Sequence, residues 1–423
     1  MIENPRKFLT DLFSRAVQVS SARHCLPPYI KALQDRRIHA IGAGKAAGAM
    51  ARALEDSFSG DLTGTVVTRY GHGVELDRIQ VIEAAHPLPD ERGMTAAQTI
   101  VDSLTQADSS VLVVCLISGG ASALLALPHD GLSLHDKKNI TNSLLMRGAD
   151  IHEINTVRKH LSAVKGGQLM KRIYPARSLT FCISDVVGDD PSTIGSGPTM
   201  PDPTTCDDVL RILSKFDVAV PATLTERLKR GELETPKPDD PIFRHAETQV
   251  IARPQSGLEA STGLATASNC RAVIIGDSIT GDTNIAAQYH ADLVRKKLTE
   301  DSEHRPFVLL SGGETTVTVT GKGRGGPNTQ FALALAVELQ GEASVYAIAC
   351  DTDGIDGTET NAGALIDPTT LSRAERTGLD PRKFLTENDS YGFFSQLGDL
   401  VETGPTLTNI NDFRAILVNK IPD

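Results

Sequence analysis

Residues 42–48 (GAGKAAG) follow an apolar run that ends at Ile41, and they combine the residue types that bind phosphate groups. Glycines let a backbone approach a phosphate closely, and a lysine at the start of a helix adds a full positive charge to the helix dipole. The alternative is a plain tight turn with a solvated lysine, although packing alone does not need a lysine there. We therefore expect Gly42 and Gly44 to contact a phosphate and Lys45 to bind an anion.

Two Ser-Gly-Gly segments follow other apolar runs: residues 118–122 (SGGAS) follow VLVVCLI, and residues 311–314 (SGGE) follow FVLL. In open parallel sheets, ligands bind beyond the carboxyl ends of the strands, where turns expose backbone N–H groups. One such segment is often only a turn, but two in different halves of the chain favour two walls of one polar cleft. The predicted phosphate-binding residues here are Ser118, Gly119, Gly120, Ser122, Ser311, Gly312 and Gly313.

Aspartates recur in three further segments at predicted strand ends, residues 184–191 (SDVVGDDP), 276–282 (GDSITGD) and 351–357 (DTDGIDG). Carboxylates in such positions are usual hard ligands of Mg²⁺ beside substrate phosphates. A single aspartate more often caps a helix or closes an Asx turn. As a set, these segments favour a magnesium site, for which we name Asp351 and Asp353.

A basic, glycine-rich segment at residues 321–330 (GKGRGGPNTQ) runs into a predicted helix. Its glycines, with Lys322 and Arg324 between them, indicate either a flexible loop that closes on an anion or a solvated hairpin loop. Arg324 and Asn328 are the candidate ligand contacts. A second basic stretch, residues 158–167 (RKHLSAVKGG), is related to this segment, and its charges indicate either a similar role or a solvated helix face.

Alternating strands and helices must position these segments. Apolar runs at residues 38–41, 65–68, 79–84, 111–117 and 179–183 are separated by glycine-bearing turns and helical segments. Near-continuous apolar strands are typical of a parallel sheet that helices cover on both faces. The first half of the chain is therefore predicted to be a doubly wound α/β domain.

The second half continues the α/β pattern beyond a charged segment with three prolines at residues 230–245, which indicates a linker or an exposed loop. The predicted strands there are residues 272–275, 307–310, 315–320 and 345–350, and the predicted helices are residues 255–268 and 284–298. We predict an N-terminal domain at residues 1–235, a linker at 236–245 and a smaller C-terminal α/β domain at 246–423.

Composition narrows the partners and the compartment. The chain has 423 residues and a net charge of −11, which argues against non-specific binding to nucleic acid. Its six cysteines are scattered without a Cys-x-x-Cys pair, which argues against a zinc site. The N-terminus lacks the apolar core of a signal peptide, and no stretch of about 18 apolar residues occurs. We expect a cytoplasmic protein without a nucleic-acid or membrane partner.

Six segments, in this order along the chain, are more specific than any single turn. They are GAGKAAGAMA, SGGASALL, RKHLSAVKGGQL, SDVVGDDPSTIGSGPTMPD, LSGGETTVTVTGKGRGGPNTQFALALA and DTDGIDGTETNAGALID. From near Lys7 to near Val418, the chain resembles the glycerate 2-kinase family, whose C-terminal part is called the MOFRL domain. The resemblance implies phosphorylation of D-glycerate at its 2-hydroxyl by ATP with Mg²⁺, giving 2-phospho-D-glycerate and ADP. It also implies a Rossmann-like N-terminal domain, a C-terminal MOFRL-type domain and an active site in the cleft between them.

Carried over residue by residue, the resemblance matches Lys45 to the family's active-site lysine and Asp189 to the aspartate of its Ser-Asp-Val-x-Gly-Asp motif. Asp189 would accept the proton of the 2-hydroxyl, while Lys45 and Arg324 would neutralise the transferring phosphoryl group or the glycerate carboxylate. Many members have Gly-Gly-Arg-Asn where this chain has Pro327 before Asn328. Either Arg324 reaches the same anion, or the phosphate is held differently.

Two other functions stay open at this point. The turn at residues 42–48 also fits a Gly-x-Gly-x-x-x-Gly variant of the dinucleotide fingerprint, and Arg69 suits the extra phosphate of NADP. This alternative is an NAD(P)H-dependent hydroxypyruvate reductase, but the acidic ribose contact expected about 20 residues further on is missing. A reductase also has no evident use for the strand-end carboxylates. The third candidate is a non-catalytic phosphosugar or nucleotide sensor. Whether the chain forms a homodimer is left open.

Overall fold

The computed structural model describes residues 1–300 and 305–419, without the side chain of residue 300. Its backbone forms two compact units. The first is Ala22–Ile251, called the N-terminal unit below. The second, called the C-terminal unit, is Met1–Ser21 together with the chain from Ala252 onward. Each unit contains a six-stranded sheet.

Strands and helices alternate along much of the described chain. The strands are β1 Arg37–Ala43, β2 Leu62–Arg69, β3 Ile79–Ala84, β4 Val111–Ile117, β5 Arg177–Ile183, β6 Ala246–Ala252, β7 Arg271–Asp282, β8 Phe307–Thr316, β9 Val345–Asp351, β10 Gly363–Ile366, β11 Leu400–Val401 and β12 Asp412–Val418. The helices are α1 Pro5–Ser20, α2 Ala22–Cys25, α3 Pro27–Ile30, α4 Ala47–Ser57, α5 Glu91–Ser103, α6 Ala121–Leu124, α7 Leu134–Met146, α8 Ile151–His160, α9 Gln168–Ile173, α10 Cys206–Lys215, α11 Ala222–Lys229, α12 Pro254–Ala267, α13 Thr283–Glu300, α14 Pro327–Leu339, α15 Thr370–Arg376, α16 Pro381–Thr386 and α17 Ser390–Leu397. Short 3₁₀ helices span Lys31–Leu33, Leu104–Gln106, Ile194–Ser196 and Pro241–His245. Within the described ranges, no helix combines the length and the apolar character that a bilayer crossing needs.

The sheet of the N-terminal unit has the strand order β3-β2-β1-β4-β5-β6. Strands β1 to β5 pair in parallel, and the order is that of doubly wound sheets that bind nucleotides. Alternate residues of β4 point to opposite faces. Val113 and Cys115 pack into one core with α5 and α9, and Val114 and Leu116 on the other face are also buried. The predicted doubly wound parallel sheet is therefore confirmed.

The sheet of the C-terminal unit is mixed, with the order β11-β10-β9-β12-β8-β7. Strands β7 and β8 are parallel, whereas β12 pairs antiparallel with both β8 and β9. Helices α1 and α12 share a core with this sheet, and α13 and α14 share a second one. The α/β class predicted for this half is confirmed, while its central strand β12 was not predicted.

The structure corrects the predicted boundaries of 1–235, 236–245 and 246–423. Helix α1 belongs to the C-terminal unit, where the Ser261 hydroxyl donates to the Leu12 carbonyl at 2.9 Å and the Phe13 and Phe413 ring centres lie 5.9 Å apart. Residues 246–252 form β6, an edge strand of the N-terminal sheet. The polar composition of the proline-rich segment is typical of a linker. Composition does not reveal, however, that the strand after this segment joins the N-terminal sheet.

Two predicted turns lie inside strands instead. Residues 311–316 belong to β8 and residues 276–282 to β7, so the segments SGGE and GDSITGD are parts of strands and not turns that follow them. A Cβ added at Gly313 would lie 2.2 Å from the Ile279 backbone oxygen, which is its neighbour in the β7–β8 ladder. This glycine therefore allows two strands to approach. Local sequence could not reveal that role, because the partner strand is more than 30 residues away.

Candidate functional site

The first glycine turn and the turn after β4 meet at the carboxyl edge of the N-terminal sheet. Strands β1 and β4 are parallel neighbours, so their ends lie together. The backbone N–H of Lys45 donates to the Gly119 carbonyl at 2.8 Å, and that of Ala46 donates to the Ser118 hydroxyl at 3.0 Å. The structure therefore brings Lys45 next to the serine–glycine turn, as the strand-end argument expects.

Packing between these strands explains two of the predicted phosphate-binding glycines. A Cβ added at Gly42 would lie 2.3 Å from the Leu116 carbonyl oxygen, and one added at Gly44 would lie 2.1 Å from the Ser118 hydroxyl. Both positions need glycine for the β1–β4 contact whatever the ligand is. Their contact with a phosphate stays a prediction.

Gly120 lies between the side chains of His86 and Lys45. Its φ is +80°, and an added Cβ would lie 2.9 Å from the His86 ring and 3.4 Å from Cγ of Lys45. The turn can therefore pass under His86 and Lys45 only because residue 120 has no side chain.

Gly120→Ala is expected to destabilise the protein by roughly 1–3 kcal/mol, since alanine is strained at this φ and its methyl displaces the His86 ring. Lys45 should stay in place, because an added Cβ would lie 3.4 Å from its Cγ, which is an ordinary van der Waals distance. Thermal unfolding measures the loss of stability. Gly148→Ala is the matched control: its φ is also +80°, but an added Cβ would meet nothing within 4 Å. Equal losses in both variants would contradict the proposed packing.

Asp189 follows β5, which pairs with β4 and so extends the same sheet edge. Its φ of +53° is in the left-handed region, and its backbone N–H donates to Val186 at 3.0 Å. The Oδ1 atom is buried, and the described residues give it no hydrogen-bond partner. A strained backbone that carries an unpaired carboxylate oxygen is costly for folding and is typical of functional sites.

The loop after Asp189 reaches the turn after β4. The hydroxyls of Ser122 and Ser196 lie 2.9 Å apart, and Ser196 ends the 3₁₀ helix Ile194–Ser196. The segments that follow β1, β4 and β5 thus lie along one edge of the sheet. The N-terminal candidates named from the sequence are brought to that edge, and their roles toward a ligand stay predictions.

Sequence reasoning missed a buried lysine beside this edge. The Lys165 ammonium donates to the backbone carbonyls of Ser122 at 2.8 Å and Leu125 at 2.7 Å. Burial, and then the charges of Lys137 and Arg158, hold the pKa of Lys165 well below its usual value. The signal in the sequence was a lysine inside the apolar run LSAVKGG.

Of the two alternatives for residues 158–167, the solvated helix face is therefore wrong. Lys159, His160 and Lys165 are buried. A cavity of about 400 Å³ lies next to Gly120 and Ser122, and Arg158 and Lys165 line it. The basic stretch faces the interior because α8 packs beneath the sheet-edge loops, which charge patterning alone does not indicate.

Arg324 does not lie on a free loop. Its guanidinium pairs with the Glu359 carboxylate and stacks 4.5 Å from the centre of the Tyr391 ring. The backbone of the basic segment is tied down as well, since Gly323 donates to the Glu387 carbonyl at 2.9 Å. The hydrogen bond to Glu359 raises the pKa of Arg324. The Arg324 side chain is nevertheless 63% exposed, and its predicted contact with an anion stays a prediction.

Asp351 and Asp353 form consecutive Asx turns after β9. One oxygen of Asp351 accepts from the Asp353 N–H at 2.9 Å, and one oxygen of Asp353 accepts from the Ile355 N–H at 2.9 Å. The carboxylates thus organise the turn, which was the alternative to metal binding. Their role as magnesium ligands stays a prediction.

Among the described residues, three possible ligand atoms approach within 4.8 Å of one another at His160, Cys206 and Glu234. The Glu234 carboxylate there lies 2.5 Å from the Lys237 ammonium. Although burial raises the pKa of Glu234, the hydrogen bonds from Lys237, the Cys206 N–H and His160 lower it to about 2. The Glu234 carboxylate already has the Lys237 ammonium as its counter-ion, so we assign no metal ion to this group.

Asn328 belongs to a buried charged network in the C-terminal unit. Its side-chain amide donates to Asp412 at 2.6 Å, and its backbone N–H donates to Asp356 at 2.9 Å. Arg414 donates to the same Asp412 carboxylate, and burial raises the pKa of Asp356 to about 6. Asn328 thus bridges two carboxylates, which is a structural role that its place in a glycine-rich segment did not predict.

Ser311 has a comparable structural contact, because its hydroxyl lies 2.8 Å from Nε2 of the buried His290.

Two family models match the chain, a domain of unknown function (DUF4147) over residues 8–229 and the MOFRL family over residues 307–412. A glycerate 2-kinase of Pyrococcus horikoshii is 42% identical over 389 residues, which cover 90% of this chain and 87% of that protein. The crystal structure of a glycerate kinase from Thermotoga maritima matches with a TM-score of 0.91 and 34% identity, over 98% of this chain and 99% of that chain. The chain belongs to the glycerate 2-kinase family.

The resemblance drawn from the six sequence segments is thereby confirmed. Lys45 and Asp189 lie in the region matched by the domain of unknown function, and Arg324 and Asp351 lie in the region matched by the MOFRL family. A protein of Agrobacterium vitis that bears the name of a hydroxypyruvate reductase is also similar, with 43% identity over 98% of this chain and 94% of that protein. Names for two activities therefore occur among the relatives of this chain.

Proposed function

We propose that this protein is a D-glycerate 2-kinase, which transfers the γ-phosphoryl group of ATP to the 2-hydroxyl of D-glycerate and forms 2-phospho-D-glycerate and ADP. The relatives named glycerate 2-kinase and glycerate kinase support the substrate and the reaction. The observation that carries the proposal is the sheet edge where Lys45, the turn at Gly119 and Gly120, and Asp189 follow neighbouring parallel strands. The proposal includes the cytoplasmic location expected from the sequence.

Asp189 is the proposed general base. Its buried Oδ1 has no hydrogen-bond donor among the described residues, so it can accept the proton of the substrate hydroxyl. The oxygen of that hydroxyl then attacks the γ-phosphorus in line, and the bond to the β-phosphate bridging oxygen breaks as ADP leaves.

Lys45 is the proposed stabiliser of the charge that spreads over the transferring phosphoryl group. Its side chain passes beside Gly120, where an added Cβ would fill the space under it. A fixed ammonium beside a turn without side chains suits the close approach of a phosphate. Arg324 is a further candidate for this role, because its side chain is exposed although it pairs with Glu359.

Mg²⁺ and ATP are expected for this reaction. The carboxylate oxygens of Asp351 and Asp353 fit a hard cation; Asp351 ends β9, and Asp353 lies in the turn directly after it. When bound, the ion would neutralise charge on the phosphates of ATP. The residues themselves shape the turn through the two Asx contacts described above.

An assay with D-glycerate, ATP and Mg²⁺ tests the proposal by ADP release, and ³¹P NMR of the product identifies which hydroxyl carries the phosphate. We expect a 2-phosphate. The name of the Agrobacterium relative favours a second candidate, hydroxypyruvate reductase, so NADPH oxidation with hydroxypyruvate runs in parallel. NADPH loss without ADP release would replace the kinase by the reductase, and silence in both arms would contradict both.

Lys45→Met is expected to lower kcat by about 10²–10³-fold, since it removes a charge that acts in the transition state. The unfolding temperature should change little, because methionine keeps the length of the side chain. Lys31→Met, at an exposed position of the same unit, is the control and should retain the wild-type rate. An unchanged kcat in Lys45→Met would remove this residue from the mechanism.

A further inference from the structure

The cavity of about 400 Å³ in the N-terminal unit is lined by an excess of basic residues. The turn residues Gly120 and Ser122 line it together with residues of α7 and α8. Its basic lining residues are Lys137, Lys138, Arg158 and Lys165, beside His86, and the lining contains no aspartate or glutamate. A concave site that collects cations without a counter-ion is suited to an anionic ligand.

Lys137 is the most unusual of these residues. Lys137 lies on α7, and only 8% of the residue is exposed. Its Nζ atom has no hydrogen-bond partner among the described residues. An ammonium group buried without an acceptor costs free energy that a folded protein normally avoids. Arg158 on α8 is also partly buried without a counter-ion in the described part of the chain. Burial lowers the pKa of its guanidinium, and no carboxylate there offsets this effect.

The lining also indicates which anion fits. ATP is bound together with Mg²⁺, and a cavity with four basic residues and no carboxylate repels that cation. A carboxylate needs no metal, and a guanidinium binds it through two parallel hydrogen bonds. Leu88, Leu134 and Leu145 add apolar surface to the lining, of which Leu134 is buried and the other two are largely exposed.

We propose that this cavity binds the carboxylate of the acceptor substrate, a small 2-hydroxy acid, and that Lys137 and Arg158 hold it while the hydroxyl points toward the Gly120 turn. The proposal rests on the function proposed above, since it names the subsite through which that kinase selects an acid. Lys137 and Arg158 thus become the specificity-determining residues, separate from the charge at Lys45.

Calorimetric titration with D-glycerate, without ATP, tests the subsite directly. Arg158→Met and Lys137→Met should each raise the Kd at least about tenfold relative to the wild type. Lys171→Met is the control, because that lysine is exposed and does not line the cavity; its Kd should not change. Glycerol, which has the hydroxyls but no carboxylate, should not bind. A Kd unchanged in both cavity variants would overturn the proposal.

The thermal stability of the free variants distinguishes a binding role from a structural one. Because the two charges repel each other and lack acceptors, both methionine variants should unfold at the wild-type temperature or above it. A structural role would instead lower the unfolding temperature. A lower temperature together with an unchanged Kd would show that these side chains serve the fold alone.

Steady-state kinetics separates the carboxylate from the phosphates of ATP. In both cavity variants the KM for D-glycerate should rise about tenfold or more while the KM for ATP stays the same. A rise in the KM for ATP alone would assign the cavity to ATP and overturn the proposal. Inorganic phosphate that binds more tightly than D-glycerate, with the same dependence on Arg158, would do so too.

Failure of this proposal and failure of the proposed function give different results. ADP release by the wild type with an unchanged KM for D-glycerate in both variants contradicts only the subsite. Binding of D-glycerate that depends on Arg158, without ADP release, contradicts only the kinase.

Proton uptake offers a second readout. Burial, followed by the charge of Arg158, lowers the pKa of Lys137 to about 7. The other basic groups that line the cavity beside Lys137, or whose pKa its charge lowers, are Lys138, Lys165, His86 and His129. At about pH 8 the empty site therefore holds mostly neutral Lys137, and a bound carboxylate favours its protonation. Titrations in buffers of different ionisation enthalpy should show proton uptake in the wild type and much less in Lys137→Met. Equal uptake in the two would contradict the assignment of Lys137.

Discussion

Asp189→Asn is expected to lower kcat by about 10²–10⁴-fold, because an amide cannot accept the proton of the attacking hydroxyl. The substitution keeps the size of the side chain, and asparagine tolerates the left-handed backbone, where φ is +53°. The KM for D-glycerate should change little. Steady-state kinetics with purified variants measures both parameters, and the reduced kcat should not recover at high pH.

Stability adds a second expectation for the same variant. The buried Oδ1 of Asp189 lacks a hydrogen-bond donor among the described residues, so the carboxylate is a cost to the folded state. Replacing it by a neutral amide should leave the unfolding temperature unchanged or raise it, because a residue kept for function often lowers the stability of the folded state. A loss of activity that came with a large loss of stability would point to a structural role instead.

Asp190→Asn is the matched control. Asp190 is adjacent and exposed, and its side chain accepts hydrogen bonds from the Ser192 N–H at 2.9 Å and from the Ser192 hydroxyl at 2.7 Å. Asparagine closes such turns nearly as well, so activity should remain at the wild-type level. If Asp190→Asn lost as much activity as Asp189→Asn, the loop as a whole rather than one carboxylate would be needed.

Arg414→Met is expected to lower the free energy of unfolding of the C-terminal unit by about 3–5 kcal/mol, since it leaves the Asp412 carboxylate buried without its partner. Arg414 is completely buried on β12, donates to Thr315 at 3.0 Å and lies 4.9 Å from the centre of the Phe331 ring. Chemical denaturation measures the loss. Arg382→Met, at an exposed position of the same unit, should cost far less.

The loss should depend on pH in a definite direction. Burial already raises the pKa of Asp412 above its usual value, with Arg414 acting against that rise. Without the arginine the folded-state pKa rises further, so the folded protein binds this proton more tightly than the unfolded chain. Stability is then retained at acid pH and lost as the pH rises through the raised pKa. The loss should be larger at about pH 8 than at about pH 5.

A double variant separates the unpaired charge from the lost packing. Asp412→Asn combined with Arg414→Met removes both charges and should recover much of the stability that Arg414→Met loses. No recovery would mean that the buried arginine acts mainly through its contacts with Phe331 and Thr315.

Much of the N-terminal sheet could be predicted because its strands carry a local signal. A strand such as VLVVCLI is buried on both faces, and that burial appears in the sequence as an unbroken apolar run. The edge strand β6 and the helix α1 carry no such indication of their partners. Each packs against residues far along the chain, and composition near a proline-rich segment does not reveal that contact.

The candidate site divides in the same way. Lys45 and the turn at residues 118–120 could be recognised because a glycine turn after an apolar strand is a local pattern, and parallel pairing then places the two turns together. Gly313 lies in a similar pattern, but its strand continues because β7 approaches it. Whether a Ser-Gly-Gly segment ends a strand depends on the neighbouring strand, which the local sequence does not contain.

The α/β class, the strand-end turns of the first half and the segments that identify the family could be inferred from local sequence, because each depends on residues close together in the chain. The burial of charges could not be inferred in this way. Nothing near Lys137, Arg158 or Arg414 in the sequence distinguishes them from surface cations, but the packing of α7, α8 and β12 buries Lys137 and Arg414 and half-buries Arg158. Burial of a charge depends on contacts between distant segments, and this is why the cavity and the Arg414 network became visible only in the folded chain.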